Sequence, residues 1–438
     1  MKKTLLTASI ILAALNMQAQ PPADTSNKYP SGATYTLSSG STVTKTGETL
    51  TSSTQYYNVV QVSSGTLNLN NCTLTKTGSG SNGDNSSFYG NNSTIYAGAA
   101  STTNYESTTA GSAAKINITD CTVTSSSEGA NAVFATNGAT ITVDGITIVN
   151  NSNVSRGLHC TYEGIINASN VDITTNGATS STIATDRGGG TVTVNSGTAT
   201  ANGSKSAVLY STGTITATDL VGTSAAGEIA VIEGDNSISM TNCTMQSGSS
   251  ERGLLMMQSG SGDASGTNPV MTITGSSLTM TDASAPLLEV ATCVTATCTL
   301  DNTSVTVPSG ILMYVMEDSQ WSTSGAIGNL ILSNGTYSGT VKYDSGYTAN
   351  VTVNSGAVWN LTANTSICEL VNNGTINRNG YTLTYTSLSG SGTINETTGI
   401  CAITTSATPP ETYTLDGRRV NADARGILVT KDGRKIIR

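Results

Sequence analysis

Histidine, aromatic side chains and charge are scarce in this chain of 438 residues. It contains one histidine, His159, only two Phe and two Trp, and 11% charged residues. A protein zinc site needs several Cys or His ligands at short spacing, and none of the eight cysteines forms a Cys-x-x-Cys pair. The sequence therefore predicts neither a metal site nor a cofactor.

Basic residues and long apolar runs are also few. Residues 21–410 contain 10 Lys and Arg against 24 Asp and Glu, a net charge of −14, whereas residues 411–438 have a net charge of +3. An acidic body argues against nucleic acid and against anionic lipid as partners, because both would repel it. Beyond residue 20 no run of about eighteen apolar residues exists, so the sequence predicts no membrane-spanning segment.

The N-terminal residues 1–20 have the pattern of a secretory signal peptide. Lys2 and Lys3 precede an apolar run over residues 5–15, and the small residue Ala19 follows it. We therefore expect an exported protein, secreted to the extracellular space or held at the cell surface or outer membrane. Residues 21–62 are expected to form an N-terminal segment that caps the first turn of the fold.

One nine-residue phrase is abundant. Its positions one, three, six and eight are mostly apolar, and position five is nearly always Asn, Asp, Gly or Ser. Alternation with a period of two predicts a strand, and the one-residue slip at position five predicts a corner within it. The eleven copies are LNLNNCTLT (67–75), INITDCTVT (116–124), ITVDGITIV (141–149), INASNVDIT (166–174), VTVNSGTAT (192–200), ITATDLVGT (215–223), ISMTNCTMQ (238–246), MTITGSSLT (271–279), CTLDNTSVT (298–306), LILSNGTYS (330–338) and VTVNSGAVW (351–359).

The spacing of these copies indicates the architecture. From residue 116 onward, successive copies begin 21–33 residues apart, and one interval of 49 residues separates the first two. A repeat of this length is typical of a solenoid, in which each coil buries its apolar face only against its neighbours. Strand crossovers of this kind are overwhelmingly right-handed. The sequence thus predicts an all-β fold, a right-handed parallel β-helix of about 12 coils over residues 63–403.

A second recurrent strand lies between the copies. It reads AVFATNG (132–138), GLHCTYEG (157–164), STIATDRGG (181–189), AVLYSTG (207–213), AVIEGDN (230–236), LLMMQSG (254–260), PLLEVATC (286–293) and ILMYVMED (311–318). This strand carries the most varied chemistry, with candidate binding residues His159, Asp186, Arg187, Glu233 and Asp235. The same spacing is also typical of an ordinary solvated face, and the basic residues at the preceding corners fit a ladder of weak surface ion pairs.

The long interval supplies the remaining candidates. Residues 78–114 are rich in Gly, Ser and Asn and contain Phe88, Tyr89 and Tyr105. Rigid aromatic rings among adaptable small polar residues are typical of recognition surfaces. The alternative is that Ile95 and Tyr96 belong to a regular strand and the rest is a loop.

Three cysteines, Cys72, Cys121 and Cys243, occupy position six of their copies, where Ile or Val stands in others. We expect them to point inward and pack as small apolar residues. An exported protein can also form disulfides, so a bridge between Cys72 and Cys121 is the alternative, with Cys293–Cys298 and Cys368–Cys401 as less clear pairs.

Several runs carry a resemblance. SSFYG, EGANAVFATNG, STIATDRGGGTVTVNSG, AVLYSTGTIT, AVIEGDNSISMTN and EDSQWSTSG resemble a group of secreted bacterial right-handed β-helix proteins that are described as adhesin-like and share the pectin-lyase-like fold. The resemblance implies the fold and a surface location, without an assigned activity. Residues 404–412 form a predicted linker, and residues 413–438 a hairpin tail whose GRRV, RGI and GRKII elements resemble the end of Bacteroidetes C-terminal sorting domains.

The motifs of β-helix hydrolases and lyases give no catalytic assignment. Polygalacturonase-like enzymes carry paired aspartates, GHG and RIK, and this chain has none of the three. We therefore expect non-catalytic binding to a glycan or to a host or matrix protein. A polysaccharide lyase or glycoside hydrolase of the same fold, and a purely structural surface or matrix component, are the alternatives.

Overall fold

The structure is a computed structural model that describes residues 29–78, 83–99, 106–258, 264–317 and 325–396, with 412–415, 418–420, 427–430 and 435–437. The chain divides into two compact units, residues 1–396 and 397–438. The predicted signal peptide and residues 404–411 of the predicted linker lie outside the described residues. Within the described part, the first unit is a parallel β-helix, which confirms the predicted fold class.

The first of its parallel sheets, here called the front sheet, has twelve strands. Each strand pairs in parallel with the corresponding strand of the next coil, so neighbours in the sheet are about 25 residues apart in most of the chain, as with Leu158↔Ile183. The strands, numbered in chain order through the whole protein, are β1 (Gly32–Leu37), β4 (Tyr57–Val62), β7 (Ile95–Ala97), β9 (Val133–Ala135), β11 (Leu158–Cys160), β13 (Ile183–Thr185), β15 (Leu209–Ser211), β17 (Ala230–Glu233), β20 (Leu254–Met257), β23 (Leu288–Val290), β26 (Ile311–Val315) and β29 (Thr340–Tyr343).

The repeated phrase forms a second parallel sheet, here called the bent sheet. Five of its strands run through the corner without interruption, and in the other coils the strand is interrupted there. From residue 327 onward only the strand before the corner belongs to this sheet. Its strands are β2 (Thr42–Thr46), β3 (Thr49–Ser52), β5 (Gly65–Asn70), β6 (Thr73–Lys76), β8 (Ala114–Ser125), β10 (Thr140–Asn150), β12 (Gly164–Thr175), β14 (Gly190–Ser204), β16 (Thr214–Ala226), β18 (Ser237–Thr241), β19 (Thr244–Ser247), β21 (Val270–Thr274), β22 (Ser277–Met280), β24 (Thr295–Asp301), β25 (Ser304–Thr306), β27 (Ile327–Ser333), β30 (Thr348–Val353), β32 (Thr365–Asn372) and β34 (Leu383–Ser389).

The corner lies at the predicted place. Position five has a left-handed backbone in ten of the eleven copies, and in the last copy the left-handed residue is Gly356, one position later. Asn, Asp and Gly adopt this conformation at little cost, which explains their recurrence at position five. The left-handed residues are Asn71, Asp120, Gly145, Asn170, Ser196, Asp219, Asn242, Gly275, Asn302 and Asn334.

The core is a set of stacked ladders. Ile116 pairs with Ile141, Ile141 with Ile166, and Ile166 with Val192, and all four side chains are fully buried. Each coil therefore places its apolar residue directly against the equivalent residue of the next coil. Burying one such side chain contributes on the order of 1.5–3 kcal/mol, and the ladder repeats that contribution along the solenoid.

The three cysteines at position six also pack in the core, in line with the apolar residues of neighbouring coils. Cys72, Cys121 and Cys243 are buried in the core with free thiols, so the considered bridge between Cys72 and Cys121 is not formed. The Cys72 backbone N–H donates to the Cys121 sulfur at 3.3 Å, which ties one coil to the next. The considered bridge between Cys293 and Cys298 is not formed either, and Cys401 of the other considered pair lies outside the described residues.

Burial also makes the thiols unequal in reactivity. It raises the pKa of Cys121 to about 11 and that of Cys298 to about 12, whereas Cys293 is exposed. Because the thiolate is the reactive form, we expect iodoacetamide to alkylate Cys293 in the native protein well before Cys121 or Cys298. Mass spectrometry of peptides from a labelling time course measures this. Equal labelling of Cys293 and Cys298 would contradict it.

The segment expected to cap the fold, residues 21–62, already contains strands of a coil. β1 pairs in parallel with β4, β2 with β5, and β3 with β6. Toward the end of the first unit a further parallel sheet appears, formed by β28 (Thr336–Ser338), β31 (Val358–Asn360), β33 (Thr375–Asn377) and β35 (Thr393–Asn395).

The second unit, considered by itself, contains a four-stranded antiparallel sheet. Its strands are β36 (Thr412–Tyr413), β37 (Arg419–Val420), β38 (Ile427–Thr430) and β39 (Lys435–Ile437), in the spatial order β37-β36-β38-β39. The described helix α1 (Gly83–Tyr89) belongs to the first unit. No helix in the described ranges combines the length and apolar character that a membrane crossing requires.

Candidate functional site

The candidate site lies on the outer side of the front sheet. In β9 and β11 the first and third residues enter the core, so the middle residues, Phe134 and His159, point outward. Register pairing continues this outward row from coil to coil. From N- to C-terminus the row contains Gln61, Tyr96, Phe134, His159, Ala184, Tyr210 and Val231.

The first part of this row is aromatic. The Tyr96 and Phe134 rings are stacked with centroids 5.8 Å apart, and the His159 ring meets Phe134 edge-on at 5.2 Å. All three side chains are fully buried although they lie outside the core. A covering layer therefore lies over the front sheet at these coils.

Part of that cover comes from α1, which belongs to the long interval between the first two phrase copies. Ser87 of α1 makes two hydrogen bonds with Asn131, one from its hydroxyl to Asn131 Oδ1 at 3.0 Å and one from Asn131 Nδ2 to its carbonyl at 2.7 Å. Both residues are fully buried. The helix is thus fixed to the turn that precedes β9.

Charged groups join α1 to the front sheet, forming what is here called the buried polar cluster (Ser87, Tyr89, Arg156, His159, Asp186 and Arg187). Arg156 Nη2 lies 3.2 Å from Asp186 Oδ2, and Arg156 Nη1 donates to the Ser87 hydroxyl. Arg187 Nη1 donates to the Tyr89 hydroxyl at 3.1 Å. The two guanidinium groups also lie over the Phe88 ring, at 5.6 Å and 4.5 Å from its centroid.

His159 lies inside this cluster in its neutral form. Burial, followed by the nearby Arg156 charge, lowers its pKa well below the ordinary value of 6.5. Its Nε2 is 3.9 Å from Asp186 Oδ2, too far for a hydrogen bond, and neither ring nitrogen has a hydrogen-bond partner in the described part of the chain. Protonation would place a second cation beside Arg156 in a buried site.

This arrangement predicts a pH dependence of stability. The folded protein resists protonation of His159, while the unfolded chain takes up that proton near pH 6.5. Below about pH 6.5 the unfolded state binds more protons, so the free energy of unfolding should fall by up to about 1.4 kcal/mol per pH unit. Urea unfolding at pH 7.5, 6.5, 5.5 and 5.0 measures the slope.

The variant His159→Phe provides the control. His159 is the sole histidine of the chain, so no other side chain has its ordinary pKa between pH 5 and 6.5. We expect the slope over this interval to disappear in the variant. An unchanged slope would show that another group controls it.

Two sets of partly buried polar contacts lie farther along the front sheet. The Tyr210 hydroxyl donates to Glu233 Oε1, and burial, with the Glu233 charge, raises the pKa of Tyr210 well above its usual range. Farther along, Arg252 lies between Glu228, at 3.1 Å from Nε, and Glu289, at 3.0 Å from Nη1. Glu228, Glu233 and Glu289 are thus paired with partly buried donors.

These observations exclude the interpretation of the second recurrent strand as an ordinary solvated face. A solvated row of charges is wrong for His159, Asp186, Arg187 and Glu233, whose exposed fractions are 0, 3, 9 and 6%. A ladder of weak surface ion pairs is likewise wrong for Arg156, which is 6% exposed and paired with Asp186. The physical reason is the covering layer, which the local spacing of the strands does not encode.

A groove lies beside the front sheet, at the turns that lead from it into the bent sheet. It has a volume of about 310 Å³ and crosses five successive coils. Its floor is glycine, at Gly189, Gly190 and Gly213, where the turns carry no side chains. Exposed carboxylates, Glu163 and Asp235, line it on either side of this floor, and we call it the glycine-floored groove.

The structure therefore separates the eight predicted binding residues into groups. Tyr89, His159, Asp186 and Arg187 belong to the buried polar cluster, Phe88 contacts it, and Glu233 lies on the same face. Asp235 lines the glycine-floored groove instead, and Tyr105 lies outside the described residues.

Sequence reasoning did not assign Ser87, Asn131 or Arg156 to the site. Arg156 stands three residues before His159, a spacing that could have raised it as a candidate. Sequence reasoning placed Glu163 on the second recurrent strand without choosing it as a binding residue, and it missed the groove residue Thr214, although the run Gly188-Gly189-Gly190 was a visible signal. Among the described residues, no group of three or more His, Cys, Asp and Glu side chains is placed to hold a metal ion.

The geometry limits what the buried polar cluster can do chemically. A general acid or base must reach the proton it transfers on the substrate, and Asp186 and Glu233 are instead buried and engaged by Arg156 and Tyr210. In this arrangement the cluster fixes α1 against the front sheet. Comparison of the chain with protein-family models, with curated proteins and with solved structures finds no match in any of the three.

Proposed function

We propose that this protein is an exported, adhesin-like scaffold that binds a glycan at the cell surface without catalysis. The observation that carries the proposal is a continuous outward row of hydroxyl and amide side chains on the bent sheet. In register from coil to coil the row contains Thr44, Asn68, Asn117, Thr142, Asn167, Thr193, Thr216, Ser239, Thr272 and Thr299.

Neighbouring coils order parts of this surface before any ligand binds. Asn117 Nδ2 donates to Asn68 Oδ1 at 2.8 Å, and Asn68 Nδ2 donates to the Thr44 hydroxyl at 3.1 Å. A similar amide ladder near the end of the first unit links Asn395 to Asn377 at 2.9 Å. Ordered side chains lose little conformational entropy on binding, which favours recognition by many weak contacts.

The regular spacing of the coils suits a polymeric ligand that is built from repeating units. Coils stack about 4.8 Å apart, so equivalent hydroxyl and amide groups recur at a fixed interval along the bent sheet. A linear glycan presents hydroxyl groups in the same way, and several weak contacts along one chain add up to useful avidity. The low charge of the surface favours hydrogen bonding over ionic binding as the general mode.

The state of the carboxylates supports binding over hydrolysis. Glycoside hydrolysis needs two carboxyl groups on either side of the scissile bond, one of them free to donate a proton. On the front sheet Asp186 and Glu233 are nearly fully buried and paired with Arg156 and Tyr210. The Asp186–Arg156 pair joins α1 to the front sheet, and neither Asp186 nor Glu233 is presented to a polymer.

A glycan array probed with the chain from residue 21 onward tests the proposal. We expect retention of one or more glycan classes without the release of new reducing ends from the same glycans. A matched pair of variants locates the surface: Asn117→Arg with Thr142→Arg should weaken binding, and Glu369→Arg, at an exposed position outside the row, should not. Release of reducing ends, or no retained glycan, would overturn the proposal.

A further inference from the structure

We propose that the glycine-floored groove is a binding subsite for a glycan with free amino groups, such as a polymer of unacetylated glucosamine. This inference rests on the proposed function and names the ligand class that this part of the surface selects. It depends on three properties of the groove, namely its shape, its charge and its position beside the hydroxyl and amide row.

The shape comes from the order of residues in successive coils. Glu163 follows β11, Gly189 and Gly190 follow β13, Gly213 follows β15, and Asp235 follows β17. The two coils between the carboxylates thus carry glycine at these turns, and the side chains they present to the groove are those of Thr191 and Thr214. Three coil steps separate Glu163 from Asp235, roughly 14 Å at the stacking distance of parallel strands, which exceeds the length of one sugar ring. The groove thus fits a short stretch of a chain lying along the solenoid axis.

The charge of the groove selects among glycans. Glu163 and Asp235 are both exposed carboxylates, and no Lys or Arg is among the residues that line the groove. Asp235 Oδ1 already accepts the Asn268 backbone N–H at 3.0 Å, which fixes the position of the carboxylate. An ammonium group is attracted to such an arrangement, and a uronate or sulfated sugar is repelled.

The remaining side chains suit sugar hydroxyls. Thr191, Thr214 and Ser237 line the groove from the starts of β14, β16 and β18, and they pair in register with one another. The hydroxyl and amide row lies two residues farther along the same strands, on the same face of the sheet, at Thr193, Thr216 and Ser239. A glycan chain on that row can therefore extend into the groove without leaving the surface.

Two oligomers that differ only at nitrogen test the inference. The probes are a glucosamine hexamer with free amines and the same hexamer fully N-acetylated, titrated calorimetrically against the chain from residue 21 onward at pH 6. We expect the free-amine hexamer to bind about tenfold more tightly, because two exposed ionic contacts are worth about threefold each. The difference should shrink as NaCl is raised, since exposed charges are screened.

Variants locate the effect. Glu163→Gln and Asp235→Asn should each weaken binding of the free-amine hexamer about threefold, and together they should remove its advantage over the acetylated one. The Asn side chain at 235 keeps the oxygen that accepts the Asn268 N–H, so the fold is retained. Glu369→Gln, at an exposed Glu of the bent sheet that does not line the groove, is the control and should change nothing.

A substitution that fills the groove gives an independent readout. Thr214→Trp should abolish binding of the free-amine hexamer, whereas Thr244→Trp, at an exposed threonine of the bent sheet outside the groove, should not. Equal binding of both hexamers, or an amine preference that survives the double variant, would overturn the inference while the proposed function stands. Failure to bind any glycan on the array would overturn both.

Discussion

Replacing Asp186 with Ala should lower the free energy of unfolding of the β-helix by about 3–5 kcal/mol. The Asp186 carboxylate lies 3.2 Å from Arg156 Nη2, and the side chains are 4% and 7% exposed. Its removal leaves a buried guanidinium without its counter-charge, which costs far more than the loss of an exposed ion pair. The Asp186 Oδ1 hydrogen bond from the Arg187 backbone N–H, at 2.9 Å, is lost as well.

Urea unfolding, together with amide hydrogen exchange in α1, measures this effect. Because solenoids can unfold in parts, exchange in α1 reports local release that a global transition can miss. The control is Asp172→Ala, which removes an exposed carboxylate that accepts a hydrogen bond from Thr198 at 2.7 Å and should cost less than about 1 kcal/mol.

A double variant separates the cost of an unpaired buried charge from the cost of lost side-chain packing. If the cost of Asp186→Ala arises from an unpaired cation, the added substitution Arg156→Met should recover much of the lost stability, since Met retains most of the buried length of the Arg side chain. A double variant that is less stable than Asp186→Ala alone would contradict this account, as would equal losses for Asp186→Ala and Asp172→Ala.

Gly197→Ala should also have a large effect, through the stacking of neighbouring coils at the corner. Gly197 has a φ of 123°, and a Cβ there would lie 2.0 Å from the Val171 carbonyl oxygen of the preceding coil. The obstacle is backbone and cannot rotate away, so the two coils must separate locally. We expect a loss of at least about 3 kcal/mol and faster amide exchange around Val171.

Gly47→Ala is the matched control for this prediction. Gly47 also has a left-handed φ, 65°, but a Cβ there would meet no atom within 4 Å. Only the backbone penalty remains, about 1–2 kcal/mol. Equal losses for the two variants in the same urea titration would show that the backbone conformation, and not the close approach of coils, controls the cost.

The repeat itself could be predicted at the level of single residues. Alternation over INITDCTVT places Ile116 and Ile118 inward, and the structure buries both. The slip at Asp120 predicts a corner, and its φ is 51°. These features depend on the residue and its immediate neighbours, because side-chain alternation and left-handed propensity are local properties. Stacking then follows from the repeat, since each coil presents the same apolar face to the next.

The candidate site could be predicted only in part. The residue types at His159, Asp186, Arg187 and Glu233 suggested chemistry on one strand of each coil, and the structure places them on one face. Their burial was not predictable. Whether a charged side chain is solvated or enclosed depends on what covers it, and part of the cover here comes from a helix in the long interval between the first two copies.

The sequence by itself determined the parallel β-helix, because a period of 21–33 residues with a turn-former at each corner permits few other ways to bury the apolar positions. Only the tertiary structure decided the character of the front sheet. The bonds that enclose its charges join Arg156 to Ser87, 69 residues earlier, and Arg187 to Tyr89, 98 residues earlier. Contacts over such separations follow from how the chain returns onto its own surface, and no local pattern of side chains specifies that path.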